Sequence, residues 1–281
     1  MTWERFGYIC RKAKGIIKTE ESVSACISRI ENDDSCSLYG DKINHDSLSR
    51  NILNKIKEMD SKPAMAALTV YSQIDMSQHL IEPMQFKRVT IYLAYVTFVF
   101  FIVSAIYQLQ VAPSFLEAFE TFELSTPTYL IVYRDYWQYF VLVTCALLAM
   151  SLIIGFRLRE LFKFKNGIEH GIILRFFAFR GIRASYLRLL AAIKYPVSPV
   201  IDDAQSDVSK IANHLFEIEK SKMNVAVEMQ AIIKSEVRLL VNLCERQMRF
   251  ISVAMAVMII SAIFIFLLSA YSPIFVLGET V

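Results

Sequence analysis

The sequence predicts an all-α fold, a polytopic membrane protein with three transmembrane helices and two cytoplasmic helical-bundle domains. Three observations carry that expectation. The 281 residues are 55% hydrophobic, with twenty phenylalanines, which is apolar for a chain lying wholly in water; 20% are charged, which is too many for one lying wholly in lipid. Three runs, 89–109, 136–156 and 250–277, contain no Asp, Glu, Lys, Arg or His. At about 1.5 Å per helical residue, roughly twenty residues cross the ~30 Å hydrocarbon core, so each run is long enough. The remaining segments repeat apolar residues every three to four positions, the period of a helix with one buried face. The expected divisions are a helical domain over 1–87, spans over 88–110, 136–156 and 250–272, a connecting loop over 111–135, a second helical domain over 157–249 and a tail over 273–281.

Within 1–87, the first thirty residues alternate charged and apolar, so no cleavable signal peptide is expected. Val23, Cys26, Ile27 and Ile30 place an amphipathic helix over 22–31, with Thr19 as its cap. The polar stretch 32–46, with Gly40, reads as a loop. Leu48, Ile52, Leu53 and Ile56 predict a second helix over 48–59, and Ser61-Lys62-Pro63 a break before a third over 64–71. Three short helices bury a small core, so this part should lean on the membrane or on a partner for stability.

The spans are oriented by their flanks. Residues 111–136 carry four acids, Glu117, Glu120, Glu123 and Asp135, against Arg134 alone, whereas the 32 residues 157–188 carry eight bases against two acids. Lys and Arg are retained on the cytoplasmic side, which puts the N-terminus and 157–249 inside and the 111–136 loop and the C-terminus outside. Lys87 and Arg88 before the first span, and Arg246 and Arg249 before the third, agree. Pro273 is expected to end the third helix. In 157–249 a helix over 172–193 mixes apolar and basic residues, and 195–199 interrupts it. Asp202 and Asp203 suit a helix start, after which Val208, Ile211, Leu215 and Ile218 form an apolar stripe. Val225, Met229, Ile232, Ile233, Val237, Leu240 and Cys244 continue that stripe towards the membrane.

No catalytic, cofactor-binding or metal-binding residue stands out. Neither GxxxxGK[ST] nor GxGxxG occurs, and HExxH and GxSxG are absent. The uneven charge has no aromatic-interleaved basic motif, which argues against nucleic acid as a partner. Cys10, Cys26, Cys36 and Cys244 fall on the inner side and Cys145 within the membrane, so no disulfide framework is expected. His45, His79, His170 and His214 are scattered. Glu117, Glu120 and Glu123 share one helical face, for which a solvated acidic surface and a cation site are the two readings. The candidate contact residues are Arg175, Arg180, Arg183 and Arg188, interleaved with Phe176, Phe177, Phe179 and Tyr186. They suit anionic lipid headgroups or an acidic protein patch.

The order of several motifs resembles one family. After the first span come Val111-Ala112-Pro113-Ser114-Phe115 and then Glu123-Leu124-Ser125-Thr126-Pro127-Thr128, with Ser125 where the family has proline. Trp137 opens the second span. Arg188-Leu189-Leu190-Ala191-Ala192 is followed by Pro196-Val197, with Lys194 at the position of a turn glycine, and the chain closes on Pro273-Ile274-Phe275 and Gly278-Glu279. In this order around three spans, these segments resemble the type II secretion system F-domain family, the inner-membrane platform proteins of type II secretion and type IV pilus assembly. This chain would be a short, divergent member. The resemblance implies a multi-pass protein of the bacterial inner membrane, with the 111–135 loop and the tail in the periplasm. It implies contact with a cytoplasmic hexameric assembly ATPase, with pilins or pseudopilins and with other inner-membrane assembly proteins, and it implies a homo-oligomer. The motif residues it singles out are Pro113, Phe115, Pro127, Pro196, Pro273, Phe275, Gly278 and Glu279. Two other classes stay open on the residues alone. One is a membrane-anchored sensor or regulator using the outer loop; the other is a small transporter or channel with a path lined by Thr97, Ser104, Thr144, Ser151, Ser252, Ser261 and Ser269.

Overall fold

The structure is a computed structural model that describes residues 2–16, 22–40, 43–80, 86–123, 125–165, 178–198 and 206–280. Among the described residues the regular elements are helices, with one isolated antiparallel bridge between Ser47 and Lys165. In chain order they are α1 (Thr2–Ile16), α2 (Val23–Glu31), α3 (Leu48–Glu58), α4 (Ser61–Gln73), α5 (Met76–His79), α6 (Phe86–Ile106), α7 (Ala112–Thr121), α8 (Thr128–Leu161), α9 (Arg180–Lys194), α10 (Ser206–Lys220) and α11 (Val225–Thr280). Short 3₁₀ turns cover Asp34–Tyr39 and Tyr195–Val197, and a π-helical turn, Tyr107–Val111, joins α6 to α7. Three stretches, Ala94–Thr121, Thr128–Leu161 and Val225–Val276, are long and apolar enough to cross a membrane.

The chain folds as two compact units, Met1–Met84 with Phe156–Glu245, and Gln85–Gly155 with Arg246–Val281. The helical domains expected over 1–87 and 157–249 are therefore one body. The reason lies in the core: three short helices cannot close an apolar interior alone, and here the second segment closes it. Phe6 and Tyr71 meet edge to face at 5.3 Å, Trp3 reaches Phe164 at 6.1 Å, and Phe164 stacks on Tyr186 of α9. The Tyr71 hydroxyl donates to the Ile193 carbonyl at 2.8 Å, the Leu48 amide to the Phe164 carbonyl at 2.8 Å, and Lys55 Nζ to Ser198 Oγ at 2.9 Å. All three bonds tie the first 84 residues to the later segment.

Helix α1 packs against α2, α3, α4 and α5 in this unit. Trp3, Phe6, Ile9, Cys10 and Ala13 recur at three- and four-residue spacing and are buried. Arg5 on the same helix is buried, and its guanidinium donates to the carbonyls of Glu31 and Gly40, each at 3.1 Å, where α2 and the 3₁₀ turn end. A cation placed on the exposed carbonyls at a helix C-terminus is favourable. Helix α2 buries Val23, Cys26, Ile27 and Ile30 as expected, but its cap is Ser22, whose Oγ accepts from the Ala25 amide at 3.2 Å; Thr19 lies outside the described residues. Helix α3 buries Leu48, Ile52, Leu53 and Ile56. Ser61-Lys62-Pro63 forms the first turn of α4 instead of breaking the chain, because a first-turn amide needs no helical partner and proline lacks only that.

The second unit is built inside out relative to the first. Phe98, Leu142 and Phe264 are 61%, 67% and 62% exposed, while Thr97, Ser104, Thr144 and Ser269 are buried. Such an arrangement suits an apolar solvent, in which polar side chains turn inward and find partners. Phe100 packs edge-on against Phe140 at 6.4 Å and Phe266 at 6.0 Å. The second and third expected spans belong to longer helices, while α6 ends at Ile106 and passes into the π-helical turn. Helix α8 begins at Thr128 and ends at Leu161, and α11 runs through Pro273 to Thr280 instead of ending there. Glu123 leaves the acidic face expected for it, since α7 stops at Thr121 and Glu123 takes a left-handed conformation with φ of 55°.

Candidate functional site

Two places hold the residues singled out by sequence. The first is α9 in the first unit. Ile182, Ser185, Tyr186 and Leu189 are buried along one side of this helix, which fixes where its arginines stand. Arg188 is paired: Nε and Nη2 reach the two carboxylate oxygens of Glu236 on α11 at 2.9 and 3.3 Å, and Ser185 Oγ donates to the same carboxylate at 2.9 Å. The side chains of this pair are only 21% and 15% exposed. A two-pronged bond of this kind is the strong form of an arginine–carboxylate pair. Arg188, half-buried, thus helps to hold the unit together through this pair. No sequence signal marked Glu236. Arg180 is exposed and Arg183 half-buried. Arg175, Phe176 and Phe177 lie outside the described residues.

The turn after α9 is equally built in. Pro196 sits in the 3₁₀ turn between buried Tyr195 and Val197. The Tyr195 hydroxyl donates to Glu219 on α10 at 2.9 Å. Burial, and then the neighbouring Glu219 carboxylate, push that phenol above its ordinary pKa.

The second place is in the other unit, where Phe115 packs on an aromatic cluster and Pro113, Pro127 and Pro273 stand near its members in the chain. Its buried centre is Tyr107, Ala112, Leu130 and Tyr133, with Phe115, Leu116, Trp137, Phe266 and Ala270 packed around it. Pro113 stands in the first turn of α7, where its fixed φ suits a helix start. Pro127 opens α8, its carbonyl accepting the Leu130 amide at 3.1 Å. Pro273 lies within α11 and is buried. Phe275 is 70% exposed, and Gly278 has open space around it, so no close approach requires glycine there. Glu279 belongs to α11, and its side chain is outside the described residues.

Several polar groups around the cluster are paired. Trp137 Nε1 donates to Ser104 Oγ at 2.7 Å, and Ser104 also bonds the Tyr133 hydroxyl. The Tyr107 hydroxyl donates to the backbone carbonyl of Ser269 at 2.9 Å. Thr144 and Ser261 donate to the carbonyls of Phe140 and Val257 in their own helices, both at 2.9 Å. Of the seven polar side chains expected to line a path, Thr97, Ser104, Thr144, Ser151 and Ser269 are buried, and Ser261 is exposed but bonded to its own helix.

Among the described residues no three His, Cys, Asp or Glu side chains come together at metal-binding distance. Surface clefts of about 210 and 280 Å³ occur beside α1 in the first unit, the former between Arg5, Glu31, His45 and Arg50. In the former, both carboxylate oxygens of Glu31 are already taken, by Arg50 at 2.6 Å and Lys57 at 2.8 Å. Compared with known proteins, the chain matches no family model, no curated protein and no solved structure.

Proposed function

We propose that this protein is an inner-membrane platform that couples a cytoplasmic assembly ATPase to the polymerisation of pilins or pseudopilins, in a type IV pilus or a type II secretion system. The observation that carries the proposal is that Phe115 packs on the aromatic cluster of the second unit, while Pro113, Pro127 and Pro273 stand within three residues of its members Ala112, Leu130 and Ala270. The inside-out second unit supports a membrane location, and its lipid-facing surface of Phe, Leu and Ile offers packing to other apolar helices. In this reading the first unit lies in the cytoplasm, with the N-terminus inside and the C-terminus in the periplasm. Arg180 and Arg183, the arginines of α9 that the fold leaves towards its surface, face the ATPase; Arg188 holds the unit together. The energy for subunit movement comes from the partner's nucleotide hydrolysis.

The test is purification of the tagged protein from its own cells in mild detergent. A hexameric assembly ATPase and pilin-like subunits should accompany it, and the isolated chain should hydrolyse no nucleotide. R180E/R183E should insert normally yet lose most of the ATPase, an effect that interface charge reversal commonly reaches. Undiminished ATPase recovery, together with lost flotation on phosphatidylglycerol vesicles, would assign these arginines to lipid. Recovery of neither partner by the unaltered protein would overturn the platform reading.

A further inference from the structure

Proline 273 sits inside α11, seven residues before the helix ends. Proline has no N–H, so the carbonyl four residues back, that of Ser269, loses its helical donor, and the ring presses against it. In an apolar unit such a carbonyl is costly to leave bare. It is not bare: the Tyr107 hydroxyl donates to it at 2.9 Å from the π-helical turn that follows α6. Tyr107 is 5% exposed and held edge-on by Phe266 at 5.3 Å and Tyr133 at 6.1 Å, so its ring is fixed in that direction. Both elements at this contact depart from regular α-helix at the same level, one by a widened turn and the other by a missing bond. π-Helical turns interrupt helices mostly where a local rearrangement is used. Two further polar atoms of the same segments, Gln108 Oε1 and Ser269 Oγ, are buried without a protein partner.

We propose that Tyr107 is the latch of a proline hinge in α11. With the hydroxyl on Ser269, the final segment 274–280 is held in line with the packed helix; with the bond broken, that segment pivots at Pro273 while the helix before it stays packed through Phe266 and Ala270. The inference stands on the hydrogen bond and the proline, and it is independent of the platform reading.

The latch is tested in the full chain, reconstituted in nanodiscs of phosphatidylcholine and phosphatidylglycerol. Y107F removes one oxygen and keeps the ring. It should raise deuterium exchange of the amides in 270–280 about three- to tenfold, the change expected for one buried hydrogen bond. P273A returns an N–H to the Ser269 carbonyl, so in that background Y107F should alter exchange by less than about twofold, the mark of coupled sites. An equal effect of Y107F in both backgrounds, or none in the native one, overturns the latch. A ¹³C label on the Ser269 carbonyl reads the bond directly. Its amide I band should move to higher frequency in Y107F but not in P273A/Y107F, and an unmoved band in Y107F also overturns the proposal. Should Y107F fail to insert, P273A alone decides, since it must slow exchange over 274–280; unchanged exchange there refutes the hinge.

Discussion

Arg188 and Arg183 are five positions apart on one helix, and both are half-buried. Arg188 meets Glu236 through two nitrogens in a setting where neither side chain is more than 21% exposed. Removing one partner of a largely buried pair leaves an uncompensated charge, which costs about 3–5 kcal/mol when burial is complete and about 2–3 here. R188A should therefore lower the stability of the first unit by about that amount in urea unfolding, while R183A should cost under about 0.5 kcal/mol. E236Q should reproduce most of the R188A loss; a loss below about 0.5 kcal/mol from both would mean that the pair is solvated. Nothing in the run of arginines distinguishes these residues, because the distinction is made by a carboxylate 48 positions later.

Between elements, the α4–α9 tie through Tyr71 has a pH signature. Burial raises the Tyr71 phenol well above its ordinary value, since the phenolate would lose its water. A folded pKa above the unfolded one means that the contribution to stability is fully present below about pH 10 and is lost as pH rises beyond that value. Y71F should cost about 1–2 kcal/mol at pH 7, because the Ile193 carbonyl is left buried without its donor. It should also flatten the alkaline fall in stability between pH 9.5 and 11, read from unfolding midpoints across that range. An alkaline limb of unchanged steepness in Y71F would remove Tyr71 as its source. The sequence placed a helix over 64–71, and its buried face is Ala64, Ala67, Leu68 and Tyr71. It did not announce the partner, because periodicity gives the direction a side chain points relative to its own axis and nothing about what it meets.

For the molecule as a whole, the asymmetry of Lys and Arg makes a prediction about sidedness. A cysteine introduced at Ser125, which is exposed between α7 and α8, should react with an impermeant maleimide in intact cells, and one at Ser206, where α10 begins, only after lysis. The native Cys10, Cys26, Cys36 and Cys244 are buried and should stay silent, while Cys145, exposed on α8, is replaced by alanine beforehand. Labelling at Ser206 without lysis would reverse the orientation and remove the platform reading with it.

The three apolar helices, the helical class and the buried faces of α2 and α3 were legible in the residues, because they depend on local order: runs without charge, and a period of three to four. Helix α1 was equally legible at Trp3, Phe6, Cys10 and Ala13, but the charges scattered among them hid the pattern. The joining of 1–84 with 156–245, the pairing of Arg188 with Glu236 and the passage of α11 through Pro273 were not legible at all. Each turns on a partner supplied from a distant part of the chain. Tyr71 finds Ile193, Arg188 finds Glu236, and Tyr107, 162 positions before Ser269, satisfies the carbonyl that lets a helix continue past its proline. Local sequence states what a group lacks; only packing between distant segments supplies it, since the free energy of a buried polar group depends on the atom that reaches it.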